Sequence, residues 1–190
     1  MKVLSWSRGV GLAALAAALA GCAGHRHGGP EGSMGGPGGG MMMPSAMATL
    51  APTQGQTASG QVMFHDMGGH VMAHARLTGL KPNAEHGFHV HEKGDCSAPD
   101  ATSAGGHFNP DNQPHGGQDV PHHAGDMPNV RTDANGNADV RIMLQGVSVG
   151  GATGDIVGRS VVVHAQPDDY RSQPAGNSGP RIACGVIARR

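Results

Sequence analysis

The sequence predicts an all-β domain, an antiparallel sandwich or barrel, over residues 46–190. Several short segments alternate apolar and polar residues with a period of two, which is typical of strands with one buried face. Helical patterning is nearly absent after the first twenty residues. Turn-forming residues are abundant, with 33 Gly and 13 Pro among 190 residues, and they separate the short segments as in loop-rich β domains.

The composition also limits the function. The formal net charge is −1, and no basic patch indicates a nucleic-acid partner. The chain has one Trp, one Tyr and three Phe, so the predicted core is built mainly from aliphatic side chains. At this length the chain can hold one domain of ordinary size and an appendage.

Residues 1–21 have the features of an export signal. Lys2 and Arg8 precede an apolar run over 10–20, which is much shorter than the roughly 20 residues of a membrane-spanning helix. The sequence of residues 19–22 resembles the lipobox of bacterial lipoproteins, in which Cys22 is lipidated. Cleavage after Ala20 by the ordinary signal peptidase is the alternative. Lipidation would account for the odd number of cysteines, because one disulfide among three leaves one thiol over.

The composition of residues 22–45 predicts a flexible tether, because a segment this rich in Gly cannot bury enough apolar surface to fold. It also carries His25 and His27, followed by Met34 and the run 41–43. Thioether sulfur suits Cu(I) and imidazole suits Cu(II), so one hypothesis is that the tether captures copper.

The domain begins with a predicted hairpin. Val62 and Phe64 alternate with polar positions, a turn falls at 68–69, and a second alternating segment covers 71–77, which together indicate two paired strands with one buried face. We expect His65, His70 and His74 to be surface residues and not metal ligands.

The segment 87–130 carries most of the candidate chemistry. In a strand over 87–91, His89 and His91 project to one face and Phe88 and Val90 to the other. Two adjacent imidazoles suit a copper or zinc ion, although such a pair is commonly only solvated surface. The long loop that follows adds further imidazoles and one carboxylate, and three His with one Asp form the closed ligand set of a structural zinc. These loop residues are His107, His115, His122, His123 and Asp126.

Three more strands are predicted beyond this loop. A strong turn at 132–136 precedes an alternating strand over 138–144. A further strand over 160–164 ends in His164, and a last one covers 182–187. Short alternating strands of this kind support the sandwich or barrel.

Six motifs together resemble the copper-zinc superoxide dismutase family, from about Met47 to Ile187. They are GFHVHEKGD, AGGHFNP, HGG, HAGD-x-x-NV, VVVHAQPDD and GPRIACGVI, in that order. The resemblance implies a flattened eight-stranded Greek-key barrel of the immunoglobulin-like sandwich type with long metal-binding loops. It also implies one copper and one zinc per subunit.

The resemblance assigns roles residue by residue. The implied copper ligands are His89, His91, His107 and His164. The implied zinc ligands are His107, His115, His123 and Asp126, with His123 chosen over His122 because it keeps the H-x-G-D spacing. His107 would bridge the two metals, and Asp168 would link His89 to His115. Arg181 would attract and orient a small anion. Arg181 and His107 are together the expected catalytic residues. Cys96 and Cys184 would form a disulfide.

The function that the resemblance implies is an enzyme converting superoxide to dioxygen and hydrogen peroxide. Copper would alternate between Cu(II) and Cu(I), and zinc would be structural. With the export signal, this predicts a lipid-anchored protein that protects the cell envelope or periplasm, with the outer membrane favoured over the inner. We expect a monomer or a homodimer. The alternative is a periplasmic copper-binding or copper-delivery lipoprotein without turnover.

Overall fold

A computed structural model describes residues 45–151 and 153–190. The predicted export signal, Cys22 and residues 22–44 of the predicted tether lie outside the described residues. No helix within the described ranges is long and apolar enough to cross a membrane.

The described chain is built from antiparallel strands and one short 3₁₀ turn, which confirms the predicted all-β class. The strands are β1 (Ala46–Pro52), β2 (Ser59–Asp66), β3 (Val71–Thr78), β4 (Glu85–His86), β5 (Phe88–His91), β6 (Val130–Arg131), β7 (Ala138–Leu144), β8 (Ser160–His164) and β9 (Arg181–Arg189). Seven of them form one curled sheet in the order β5-β8-β9-β1-β2-β3-β7, and β4 pairs with β6 separately. The family resemblance implied eight strands, and the two-residue pair β4–β6 was not predicted.

Alternation places the core on one side of each strand. Val62 and Phe64 of β2 and Ala73 of β3 are completely buried, and β2 pairs with β3 as the predicted hairpin. Strand β1 was missed, because its inward positions are mainly Ala, a residue with low β propensity. Its pairing with both β2 and β9 identifies it as a central strand of the sheet.

The free edge of β5 positions the long loop that carries most candidate ligands. The Val90 N–H donates to the Gly125 carbonyl (2.9 Å), and the Phe108 N–H donates to the Val90 carbonyl (2.8 Å). A Cβ at Gly125 would collide with the Val90 carbonyl oxygen, so this close approach requires glycine. The loop therefore covers the strand edge and buries its histidine face.

Candidate metal centre

Four histidines converge beside β5 and β8 and form the first cluster. His89 and His91 are neighbours on β5, and their backbones pair with Val162 and Ser160 of β8. His164 ends β8, and His107 reaches the cluster from the long loop, where it forms a β-bridge with His91. The ligand atoms of these four residues lie within 4.8 Å of one another. Phe88 and Val90 point into the core as predicted, but His89 and His91 are also buried.

Hydrogen bonds on the outer side of each ring leave the other nitrogen free to face the cluster. His91 Nδ1 donates to the Gly105 carbonyl (2.9 Å) and His164 Nδ1 donates to the Gly179 carbonyl (3.1 Å). The Nε2 atoms of these two rings then face each other at 3.4 Å. His89 is oriented the other way, with Nε2 on the Asp168 carboxylate (2.8 Å). Such bonds fix both the tautomer and the ring orientation of a metal ligand.

The second cluster gathers three imidazoles around the Asp126 carboxylate. Asp126 Oδ1 lies 2.7 Å from His107 Nδ1, 3.0 Å from His115 Nδ1 and 3.2 Å from His123 Nδ1. The ligand atoms of these four residues also lie within 4.8 Å of one another. His122 is not a member; it is half-buried, and its Nδ1 donates to the Val120 carbonyl (2.8 Å).

His107 belongs to both clusters. Its Nδ1 contacts Asp126, and its Nε2 is buried with no hydrogen-bond partner among the described residues. Its ring stacks on that of His89, with centroids 4.0 Å apart. One imidazole therefore offers a nitrogen to each cluster.

Asp168 joins the clusters from the opposite side. Its carboxylate accepts from His89 Nε2 through Oδ2 (2.8 Å) and from His115 Nε2 through Oδ1 (2.9 Å). Asn129 holds this residue at the backbone, because its amide oxygen accepts from the Asp168 N–H (2.8 Å) and its amide N–H donates to the Asp168 carbonyl (2.9 Å). A Cβ at Gly176 would collide with Asp168 Oδ1. Asn129 and Gly176 were not singled out from the sequence, although Asn129 lies in the HAGD-x-x-NV motif.

Burial sets the protonation states of the first cluster. Desolvation lowers the pKa of His89 to about 4, that of His164 to about 3 and that of His91 well below its ordinary value. These imidazoles are therefore neutral near pH 7, the form that binds metal.

The second cluster is governed by its carboxylates. Burial works against charge on Asp126, but a hydrogen bond from His107 and the adjacent His115 imidazole hold the pKa of its carboxyl far below the ordinary value. Burial also opposes charge on His115, yet the carboxylates of Asp126 and Asp168 raise its pKa to about 9. The two carboxylates thus favour positive charge at the position of His115.

The two clusters fit metal ions because their inward nitrogens lack other partners. Buried nitrogens without hydrogen bonds among the described residues include His89 Nδ1, His107 Nε2, His115 Nδ1 and His123 Nδ1. Buried polar atoms are normally paired, so inward nitrogens that make no hydrogen bond, beside the Asp126 carboxylate in the second cluster, fit a metal cation. Four imidazoles suit copper, whereas three imidazoles and a carboxylate suit zinc.

A cleft of about 450 Å³ gives access to the first cluster. It is lined by His91, His107, His164 and Arg181, among others. The Arg181 guanidinium donates to the carbonyls of Ala101 and Gly105, both at 2.6 Å, and its other N–H donors remain available. Burial lowers its pKa, but an arginine stays charged near neutral pH.

The structure contains a disulfide between Cys96 and Cys184. Cys184 lies on β9 with Arg181, and Cys96 begins the loop that supplies the two carbonyl acceptors of that arginine. The disulfide packs with buried Ala101, Ala104 and Val162. The covalent link therefore ties the guanidinium and its acceptors into one unit.

Comparisons with known proteins agree with this geometry. The sequence signature of the family described as copper/zinc superoxide dismutase (SODC) matches residues 58–187. Superoxide dismutase [Cu-Zn] 2 of Aquifex aeolicus is 43% identical over 148 residues, covering 75% of this chain and 85% of the relative. Superoxide dismutase [Cu-Zn] of Saccharomyces cerevisiae is 48% identical over 118 residues, which is 58% of this chain and 75% of the relative.

Solved structures also match this chain. The crystal structure of a SOD-like protein from Bacillus subtilis matches with a TM-score of 0.65 and 38% identity, covering 73% of this chain and 95% of that chain.

Proposed function

The chain belongs to the copper/zinc superoxide dismutase family, and from this premise we propose that its two clusters are the copper and zinc sites. It is an enzyme that uses copper and zinc and converts two superoxide anions and two protons to dioxygen and hydrogen peroxide. The proposed copper ligands are His89, His91, His107 and His164. The proposed zinc ligands are His107, His115, His123 and Asp126.

One observation carries the assignment. His107 presents Nε2 to three other imidazoles and Nδ1 to Asp126, so a single ring can serve two metals only if both nitrogens are deprotonated. A protein that merely stored copper would need neither this shared ring nor an arginine in the cleft. The pairing of His107 with Arg181 therefore supports turnover over copper storage.

Bound copper supplies a one-electron redox centre, and bound zinc supplies a fixed positive charge. Arg181 binds and orients the superoxide anion, because its guanidinium is charged, lines the cleft and is held rigidly by two carbonyls. His107 can hold a proton at Nε2 and donate it to a reduced oxygen species in the cleft. Asp168 keeps the rings of His89 and His115 in their orientation throughout.

The ligand assignment is tested by metal content and turnover in matched histidine variants. The protein is loaded with copper and zinc, dialysed against a weak chelator, and assayed for bound metal and for superoxide removal. We expect His164→Ala to lose copper and turnover while it keeps zinc, because His164 belongs only to the first cluster. His123→Ala should lose zinc preferentially.

His122→Ala is the matched control, since this half-buried neighbour of His123 belongs to neither cluster. It should keep both metals and full turnover. Equal losses in His122→Ala and His123→Ala would contradict the zinc assignment. One copper and one zinc per chain with no superoxide removal would contradict catalysis and favour copper handling.

We also propose that the enzyme acts in the cell envelope of a bacterium, tethered through lipid on Cys22. The support is the export signal over 1–21, the lipobox-like residues 19–22 and the Gly-rich segment 22–45, which would join the lipid to the domain at 46–190. Superoxide is an anion, and transfer of an ion into the apolar membrane interior is costly, so an envelope enzyme would remove it where it arises outside the cytoplasm. The domain would act as a monomer or a homodimer.

Mass spectrometry of the protein purified from a bacterial membrane tests the anchor. We expect a diacylglyceryl mass on Cys22, loss of membrane association in Cys22→Ser, and unchanged turnover in that variant. An unmodified Gly21 N-terminus would refute lipidation, and sedimentation of the released domain would distinguish monomer from homodimer.

A further inference from the structure

The outer face of β1, β2, β3 and β7 carries a group of soft metal donors that the proposed active site does not use. Core residues such as Val62 and Ala73 occupy the inner face, and alternation directs their neighbours outward. The sulfur and imidazole side chains among these outward residues, here called the methionine–histidine face, are Met47, Met63, His65, Met72, His74 and Met143. None of them lines the active-site cleft.

Strand register brings these donors together. His65 of β2 is opposite Met72 of β3, and Met63 is opposite His74. Met72 is in turn opposite Met143 of β7, and Met63 is opposite Met47 of β1. Directly opposed residues on one face have Cβ atoms about 4.5–5.5 Å apart. The flexible thioethers of Met63 and Met72 can therefore reach the same point as the His65 ring.

These methionines do not fill the core. The buried core of the described chain contains one methionine, Met127, whereas Met47, Met63 and Met72 are half-buried on the outer face and Met143 is 45% exposed. An outward strand position normally carries a polar or charged side chain. Polarizable thioethers concentrated on this face therefore require an explanation other than packing.

The two histidines of the face differ in their bonding. His74 already has a hydrogen-bond partner, because its Nε2 lies 2.6 Å from Asp139 Oδ1. His65 is only 8% exposed although it lies on the outer face. Its Nδ1 is buried and has no hydrogen-bond partner among the described residues. Buried polar atoms are normally paired, so an unpaired imidazole nitrogen on a strand flanked by Met63 and opposite Met72 points to a ligand.

We propose that His65, Met63 and Met72 form a second copper site, which binds cuprous ion on the outer face of the sheet. Thioether sulfur selects Cu(I) over harder divalent ions, and imidazole is a ligand that both copper states accept. Met143 is opposite Met72 and is 45% exposed, so it flanks the proposed site on the solvent side. The site is separate from the active site, whose donors are imidazoles and carboxylate without sulfur.

The test is a titration of the reduced, copper- and zinc-loaded full chain with Cu(I) under anaerobic conditions. Methyl-¹³C methionine and ¹⁵N histidine labels report each residue by NMR, since both Cu(I) and Zn(II) are diamagnetic. Added Cu(I) should shift the methyl signals of Met63 and Met72 and the ring nitrogen signals of His65. The signals of Met67 and Met127 should stay in place.

Variants identify the ligands without relying on shifts alone. Met63→Leu combined with Met72→Leu conserves side-chain volume and should raise the dissociation constant of the added Cu(I) at this face at least tenfold. Met67→Leu, an exposed residue of the same hairpin, is the control and should leave it unchanged. Methionine shifts confined to Met34 and residues 41–43 would overturn the proposal, and so would unchanged affinity in the double variant.

Discussion

Replacement of Asp168 by asparagine should weaken binding at both proposed metal sites. The Asp168 side chain is completely buried, and each carboxylate oxygen accepts from one imidazole, Oδ2 from His89 and Oδ1 from His115. An asparagine of the same size offers one acceptor and one donor group. One of the two rings would then face a donor and lose its hydrogen bond.

The size of the effect follows from that lost bond. A hydrogen bond to a charged group contributes about 1.5–3 kcal/mol, and substitution of residues that orient metal ligands typically weakens metal binding about 10–100-fold. We expect a loss of this size for zinc, because Asp168 orients His115 and also stabilises positive charge there. Competition with a chromogenic zinc chelator would measure it, followed by the same measurement for copper.

Asp169→Asn is the matched control. Asp169 is the adjacent carboxylate, but it is exposed and its side chain bonds Ser172 and Asn177, which belong to neither cluster. It should keep the zinc affinity of the unaltered chain. Zinc and copper affinities in Asp168→Asn that stay within a factor of about two of the original would refute the orienting role, and a thermal scan of the metal-free proteins would detect general unfolding.

Three further results are expected. Arg181→Gln should lower kcat/KM about tenfold or more with both metals retained, because the charge that binds the anion is removed; a rate unchanged at low salt would contradict this. Replacing Cys96 and Cys184 by serine should lower the free energy of unfolding by up to about 4.6 kcal/mol in the chain-entropy model, measured by urea denaturation, and equal midpoints would oppose it. The metal-free protein should lose stability as the pH falls from about 6.5 to about 4. The pKa values of His89 (about 4) and His164 (about 3) lie below their unfolded value of 6.5, so the unfolded chain binds more protons in this range. A thermal midpoint that rose on acidification would be inconsistent with that linkage.

Local patterns predicted the strands well. Period-two alternation in β2, β3 and β7 located both the strands and their buried faces. It failed for β1, where small alanines on the inward side gave little β signal, and for the two-residue strands β4 and β6, which are too short to show any period. His65 and His74 lie on the outer face, but the prediction that they are surface residues is wrong, because they are only 8% and 5% exposed. Cross-strand neighbours cover them, and a sequence does not reveal register.

The sequence by itself determined which chemistry the chain can perform. Imidazoles at alternate positions of β5 and a loop with further imidazoles and a carboxylate predict metal ligands, because residue type and spacing are local properties. The role of His164 came from the resemblance of its motif to the family. The predicted export signal and the predicted tether likewise rest on local composition.

Only the tertiary structure decided how those groups meet. It brings His164 within 3.4 Å of His91, although 73 residues separate them, and it turns one nitrogen of His107 to each cluster. The Gly105 carbonyl accepts from both His91 and Arg181, which couples a proposed copper ligand to the anion-binding group. These contacts depend on strand order, register and the loop that closes the β5 edge, and such long-range pairings leave no local signal in the chain.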